Sequence, residues 1–199
     1  MSEPSGSTVS AAEAARRLAE GNARFVAGRP QHPRQDAAHR RDLRTGQHPF
    51  AVIVGCADSR VPPEILFDQG VGDLFTLRVA GNVVDDAMLG SLEYAIAHLG
   101  TPLIVVLGHS RCGGVGAALE GGAPPGHLPA ITDAIRPAVE ATRGAPGDPL
   151  MNATIAHARA MAERIRRAGP VIAPAVAAGT VEVVAMVYEI ETGEVRPLA

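Results

Sequence analysis

The sequence predicts an α/β fold: a mainly parallel β-sheet core flanked by helices, with an N-terminal helical arm and a C-terminal antiparallel edge strand. Three observations lead there. Short apolar runs alternate with segments of helical periodicity, the pattern of strands joined by crossover helices. The longest runs are five or six residues, enough for a buried strand and too short to span a bilayer. Two runs lead into clusters of reactive side chains, Cys56-Ala-Asp-Ser-Arg60 and His109-Ser-Arg-Cys112. Parallel sheets bind their ligands at the carboxyl ends of strands, where both clusters would sit.

Each element has a local cause. Residues 1–9 are polar and read as disordered, and residues 10–199 read as one domain. Ser10 and Glu13 make a capping-box pattern for a helix over 11–27, with Ala14, Ala15, Leu18, Asn22, Phe25 and Val26 on one face. Gly28 and Pro30 end it, and a polar stretch rich in His and Arg runs to Pro49. A strand follows over 50–54, and Pro62-Pro63 opens a short helix to residue 66. A strand over 74–79 precedes a helix over 86–99, which Gly100 stops. The run 103–107 is a strand, 113–119 a short helix, and the Gly- and Pro-rich segment 121–129 a loop. Helices are expected near 130–142 and 151–168, then a helical turn to residue 178 after Gly169-Pro170. A strand over 181–190 turns at Thr192-Gly193 into a last strand over 195–198.

Composition excludes several functions. With 18 basic and 21 acidic residues the net charge is -3, so no nucleic-acid partner is indicated. All the basic residues are arginine, and the cluster His39-Arg40-Arg41 with Arg44 reads as a solvated helix face. The N-terminus has neither a basic start nor an apolar stretch, so no signal peptide and no membrane association are expected. The expected compartment is cytoplasmic, where thiols stay reduced.

Cys56 and Cys112 are the only cysteines, and His109 lies 53 residues beyond the first. An isolated buried cysteine is commonly a small hydrophobe, and a Cys56–Cys112 disulfide suits an oxidising compartment better than this one. Both thiols and an imidazole at strand ends instead suit one tetrahedral Zn2+ with an open fourth position, the arrangement of a catalytic rather than a structural site. Two thiolates cancel the charge of Zn2+, and Arg60 offsets part of their effect on a bound water. Water titrating near ~7 would supply hydroxide for attack on a small electrophile such as carbon dioxide. Asp58 has two open roles: to coordinate the metal and close the site, or to pair with Arg60 and accept a hydrogen bond from water. Gly113 and Gly114 start the expected helix after Cys112, where backbone amides suit a developing anion. The other six histidines carry no ligand spacing and read as surface residues; Asp85-Asp86 reads as a helix cap.

At these residues the chain resembles the beta class of carbonic anhydrases along nearly its whole length. The resemblance runs through the N-terminal helix, Cys-Ala-Asp-Ser-Arg-Val-Pro-Pro-Glu at 56–64 and Gly-Asp-Leu-Phe at 72–75. It continues in Gly-Ser-Leu-Glu-Tyr-Ala at 90–95, Gly-His-Ser-Arg-Cys-Gly-Gly at 108–114 and Val-Tyr-Glu at 187–189. It implies zinc on Cys56, His109 and Cys112, and reversible hydration of carbon dioxide to bicarbonate and a proton by zinc-bound hydroxide. It also implies an Asp58–Arg60 dyad that orients the water, with Asp58 as fourth ligand in a closed state. The N-terminal helix would wrap a partner subunit, giving a homodimer or homotetramer. Part of the family has an inhibitory bicarbonate pocket built from Trp, Arg and Tyr. Arg78 and Tyr188 match two positions, but the Trp position falls on Ile53 and the chain has no Trp. A substrate-facing Gln of plant-type members falls on Gly70, and neighbouring Gln69 is given no role. Two other functions fit the same zinc site: hydrolysis of carbon disulfide or carbonyl sulfide, and a non-catalytic zinc sensor. Intact Asp58 and Arg60 argue against the sensor.

Overall fold

The computed structural model describes residues 9–198. Residues 1–8, expected to be disordered, lie outside the described residues. Val9, the last of that stretch, packs against the core beneath the first helix.

Five strands form one sheet in the order β2-β1-β3-β4-β5. They are β1 (Ala51–Gly55), β2 (Leu74–Arg78), β3 (Leu103–His109), β4 (Glu182–Tyr188) and β5 (Val195–Pro197). The first four are parallel, with Gly55 opposite Arg78 and His109 opposite Tyr188 at their carboxyl ends. Only β5 runs antiparallel, pairing Val195 with Tyr188 as the expected edge strand. β1 and β3 are buried throughout, which is why they read as unbroken apolar runs rather than alternating ones.

Period-2 alternation divides these strands between two cores. Val52, Val54, Ile104, Val106, Val183 and Ala185 pack with residues of α4 (Asp86–Ala97), α7 (Pro149–Arg166) and α8 (Ile172–Ala177). Ala51, Ile53, Leu103, Val105 and Leu107 pack with α1 (Ala11–Val26) and α3 (Pro63–Leu66). A third cluster, beyond the carboxyl ends of the strands, joins Cys56 and Cys112 to α5 (Gly113–Glu120) and α6 (Pro129–Ala141). None of the described helices is long and apolar enough to cross a membrane.

Four differences from the sequence reading have physical causes. Ser10 caps α1 by accepting from the Glu13 amide, but Glu13 does not return the bond; its carboxylate pairs with Arg16 and Arg17. The polar stretch before Pro49 contains α2 (Ala37–Asp42) and a 3-10 turn over Leu43–Thr45. Asp36 caps α2 by accepting from the amides of Ala38 and His39, so the helix has a start signal without an apolar stripe. A second 3-10 turn, Ala80–Asn82, follows β2 with Gly81 and Asn82 both left-handed, at φ 69° and 44°. His157, read as a surface residue, is buried on α7.

Candidate metal centre

Between β1 and β3 the order of the sheet reverses, since β2 lies outside β1 and β4 outside β3. Such a reversal opens a crevice at the carboxyl ends of the two strands. Cys56 follows the last residue of β1, His109 is the last residue of β3, and Cys112 ends the turn into α5. Their ligand atoms all lie within 4.8 Å of one another, and all three residues are buried.

The atoms are prepared to bind. His109 Nδ1 is 2.9 Å from the Ser110 carbonyl, which only accepts, so Nδ1 carries the proton and Nε2 presents its lone pair. That Nε2 is buried with no hydrogen-bond partner, an arrangement that needs an occupant. The Cys56 sulfur accepts from the amides of Gly81 at 3.2 Å and Asp58 at 3.4 Å. The Cys112 thiol, donating to Cys56, draws the Cys56 thiol down to about 4 against the opposing effect of burial. The amides of Asp58 and Gly81 act in the same direction. Cys112 is pushed up, because it keeps the proton the pair shares. Two soft donors and one neutral imidazole suit zinc, and a cation would displace that last proton.

Beside the ligands, Asp58 and Arg60 form a two-point pair. Arg60 donates Nε to Asp58 Oδ1 at 2.9 Å and Nη2 to Oδ2 at 2.7 Å, and its amide also bonds Oδ1. Arg60, chiefly through these side-chain bonds, holds the carboxyl down at about 2. A bond from Arg60 Nη2 to the Arg111 carbonyl anchors the pair to the second motif. Gly113 is the first residue of α5, whose start has no side-chain cap. A Cβ built on Gly113 would meet nothing within 4 Å, so the space on that side of its Cα is open.

Sequence reasoning missed several supports. Arg78 donates to the carbonyls of Cys56 at 2.8 Å and Asp58 at 2.6 Å, clamping the backbone that carries both. Its guanidinium is therefore committed to the metal loop, while Ile53 is fully buried in β1 and Tyr188 is buried in β4. Ser110 donates to Glu189 at 2.5 Å and accepts from the Ile190 amide, fastening the His109 turn to the end of β4. Gln69 is buried and donates to the carbonyls of Phe67 and Arg17, a packing role. The Arg78 contacts join positions 20 and 22 residues apart through carbonyls, and Ser110 and Glu189 are 79 apart, so no local spacing signals them.

The family model described as carbonic anhydrase matches residues 51–195. Carbonic anhydrase 2 of Mycobacterium tuberculosis is 57% identical over 126 residues, 61% of this chain and 61% of that relative. The match thus spans less than two thirds of the relative's length. The carbonic anhydrase of Mycolicibacterium smegmatis is 44% identical over 183 residues, covering 90% of this chain and 89% of that one. Among solved structures, a tetrameric beta-carbonic anhydrase from Sordaria macrospora superposes with a TM-score of 0.75 at 27% identity, over 80% of this chain and 85% of that one. The parallel order of the sheet, the Cys-His-Cys cluster at its switch point and these likenesses agree, and the chain belongs to the beta class of carbonic anhydrases.

Proposed function

We propose that residues 10–199 act as one domain that hydrates carbon dioxide reversibly to bicarbonate and a proton, with Zn2+ held by Cys56, His109 and Cys112. The observation that carries this reading is the orphaned Nε2 of His109 facing two thiols beside the Asp58–Arg60 pair. Bound zinc would act as a Lewis acid that makes hydroxide available near neutral pH.

The remaining work falls to the chain's own residues. Arg60 keeps Asp58 ionised and fixes its direction, so the carboxylate can accept a hydrogen bond from water and orient it toward carbon dioxide. Arg78 fixes the backbone on which Cys56 and Asp58 are spaced. The first amides of α5, Gly113 foremost, favour the anionic product. Asp58 is also the group that would complete a closed four-ligand set, since it stands two residues from Cys56. The working unit is a homodimer or homotetramer, a reading supported by the likeness to a tetrameric relative. Two free ligand thiols suit a reducing, cytoplasmic setting.

Stopped-flow hydration of carbon dioxide across pH, on protein of known zinc content, tests the proposal. About one zinc per chain and a rate that rises toward alkaline pH are expected. Cys56→Ser should lose metal and rate together, and Asp58→Ala should lose rate with zinc retained. Zinc-loaded protein inactive from acid to alkaline pH overturns the enzyme reading. Faster turnover of carbonyl sulfide than of carbon dioxide would move the substrate.

A further inference from the structure

We infer that His157 is a positioning residue for the metal centre, acting through the Gly81 turn on the Cys56 sulfur. This rests on the reading of Cys56, His109 and Cys112 as metal ligands.

His157 lies on α7 and is 1% exposed. Its Nε2 is 2.9 Å from the Gly81 carbonyl, and a carbonyl only accepts, so Nε2 carries the proton. Nδ1 is buried without a partner. Burial pushes the imidazole below its ordinary pKa, against the opposing hydrogen bond to Gly81, and keeps it neutral. From the other end of the same residue, the Gly81 amide donates to Cys56 Sγ at 3.2 Å. Gly81 is therefore pinned at both ends, its carbonyl by the imidazole and its amide on the sulfur.

The turn also carries the Asn82 amide bond to the Val79 carbonyl, but that bond does not reach the Gly81 carbonyl. Gly81 sits at φ 69°, and a Cβ there would meet Ile135 Cδ1 at 2.7 Å. Gly114 approaches the turn closely as well, since a Cβ there would stand 3.2 Å from Gly81 Cα and N. Asn82, also left-handed, continues the turn. These walls limit the space, but among the described residues only His157 bonds the Gly81 carbonyl. Without that donor a buried carbonyl loses its partner, and the turn relaxes by rotating the amide away from the sulfur. Hydrogen bonds to a ligand atom set its donor strength and direction, so the loss should reach the metal. An apolar side chain would suit this buried position better than a histidine with one unsatisfied nitrogen. Retaining that penalty fits a demand at the site and not in the core.

Three variants test the inference: His157→Met, which removes the donor; His157→Gln, of similar length with an N–H; and Ala162→Gly, which loosens α7 away from the turn. Zinc release to a chromogenic chelator and the thiolate-to-metal absorption of the cobalt(II)-loaded protein are read, with thermal unfolding alongside. His157→Met should bind zinc about tenfold more weakly and shift the cobalt absorption. His157→Gln should restore both, and Ala162→Gly should leave both at the wild-type value despite a lower Tm. Wild-type affinity and spectrum in His157→Met overturn the inference, as does an equal change in Ala162→Gly. Should His157→Met fail to fold, nitrogen-15 NMR of the wild-type imidazole decides: a proton on Nδ1 in place of Nε2 overturns it. Wild-type protein that takes up no stoichiometric zinc removes the metal reading, and this one with it. Zinc-loaded wild type with an unaffected His157→Met removes this one alone.

Discussion

Cys56 is 4% exposed, and its sulfur accepts from the amides of Asp58 and Gly81 while it shares a proton with Cys112. The residues that could be read from sequence were those whose side chains do chemistry: two thiols, an imidazole, a carboxylate and a guanidinium in two short motifs. Those that could not be read, Arg78 and His157, act through carbonyls 22 and 76 residues away. At Arg60 the geometry predicts a catalytic rather than a metal-binding defect. Arg60→Gln cannot make the two-point contact with Asp58, so the carboxylate loses its fixed direction. Hydration should fall by about 10²-fold with zinc content unchanged, measured by stopped flow and metal analysis on one sample. Loss of zinc in parallel would show that Arg60 holds the ligands instead. Two glycines of α5 offer a steric contrast. A Cβ at Gly114 meets the Gly81 backbone at 3.2 Å, and backbone cannot swing aside, whereas a Cβ at Gly116 meets nothing within 4 Å. Gly114→Ala should destabilise by about 1–3 kcal/mol, and Gly116→Ala should stabilise by about 0.5–1 kcal/mol in urea unfolding. Equal effects from the two would refute the close approach of α5 to the turn.

The elements that sequence reading placed well are those with a strong period and a punctuating residue. The apolar runs of β1 and β3, the Asp85 cap of α4 and the prolines opening α3 each left such a mark. α2 left only the Asp36 cap, because it buries no residue and its His39 reaches the Val71 carbonyl through a ring nitrogen rather than through packing. How α1 docks was equally silent in the sequence. Asn22 donates to the carbonyls of Leu66 and Gly193 and accepts from the Val195 amide, tying α1 to α3 and β5. Near its end Arg24 meets Asp68 at 2.6 Å, and that carboxylate also accepts from the amides of Gln31 and His32. Burial alone would raise the Asp68 carboxyl, but the Gln31 amide, Arg24 and the His32 amide outweigh it, and the net shift is downward. A carboxyl whose folded pKa is depressed stabilises the fold above its unfolded value and loses that contribution as pH falls through the folded one. Asp68 should therefore contribute fully above about pH 4 and progressively less below it. Asp68→Asn should lower stability by about 1–3 kcal/mol at neutral pH and flatten the acid limb of the stability curve. Denaturant unfolding at neutral and acid pH checks both, and a variant that keeps the wild-type acid dependence would exclude Asp68 as its source.

At the scale of the whole molecule, alternating strands and helices announced a parallel sheet, but not its order. Strand order depends on which way each crossover returns, and the apolar runs of β1, β3 and β4 carry no label for their neighbours. The reversal between β1 and β3 matters most, since it brings Cys56 and His109 to one crevice. The sheet also leaves one face only partly covered by this chain's own residues. α1 covers Ala51, Ile53 and Leu107 but leaves Val184, Met186 and Val195 of β4 and β5 only partly covered. Between α1 and these strands lies an apolar cavity of about 300 Å³, lined by Ala15, Leu18, Ala19, Phe67 and Met186 among others. A second copy covering that face would bury apolar area continuous with the core, which favours association. Sedimentation should therefore give a mass of at least two 20.5 kDa chains. Ala19 is exposed at the cavity's edge, so Ala19→Arg should leave the fold intact while introducing a charge that association would have to desolvate. The variant should shift toward monomer with an unchanged far-UV spectrum. A wild-type mass that stays at one chain over a wide concentration range would mean that this face is open to solvent and that α1 serves its own domain alone.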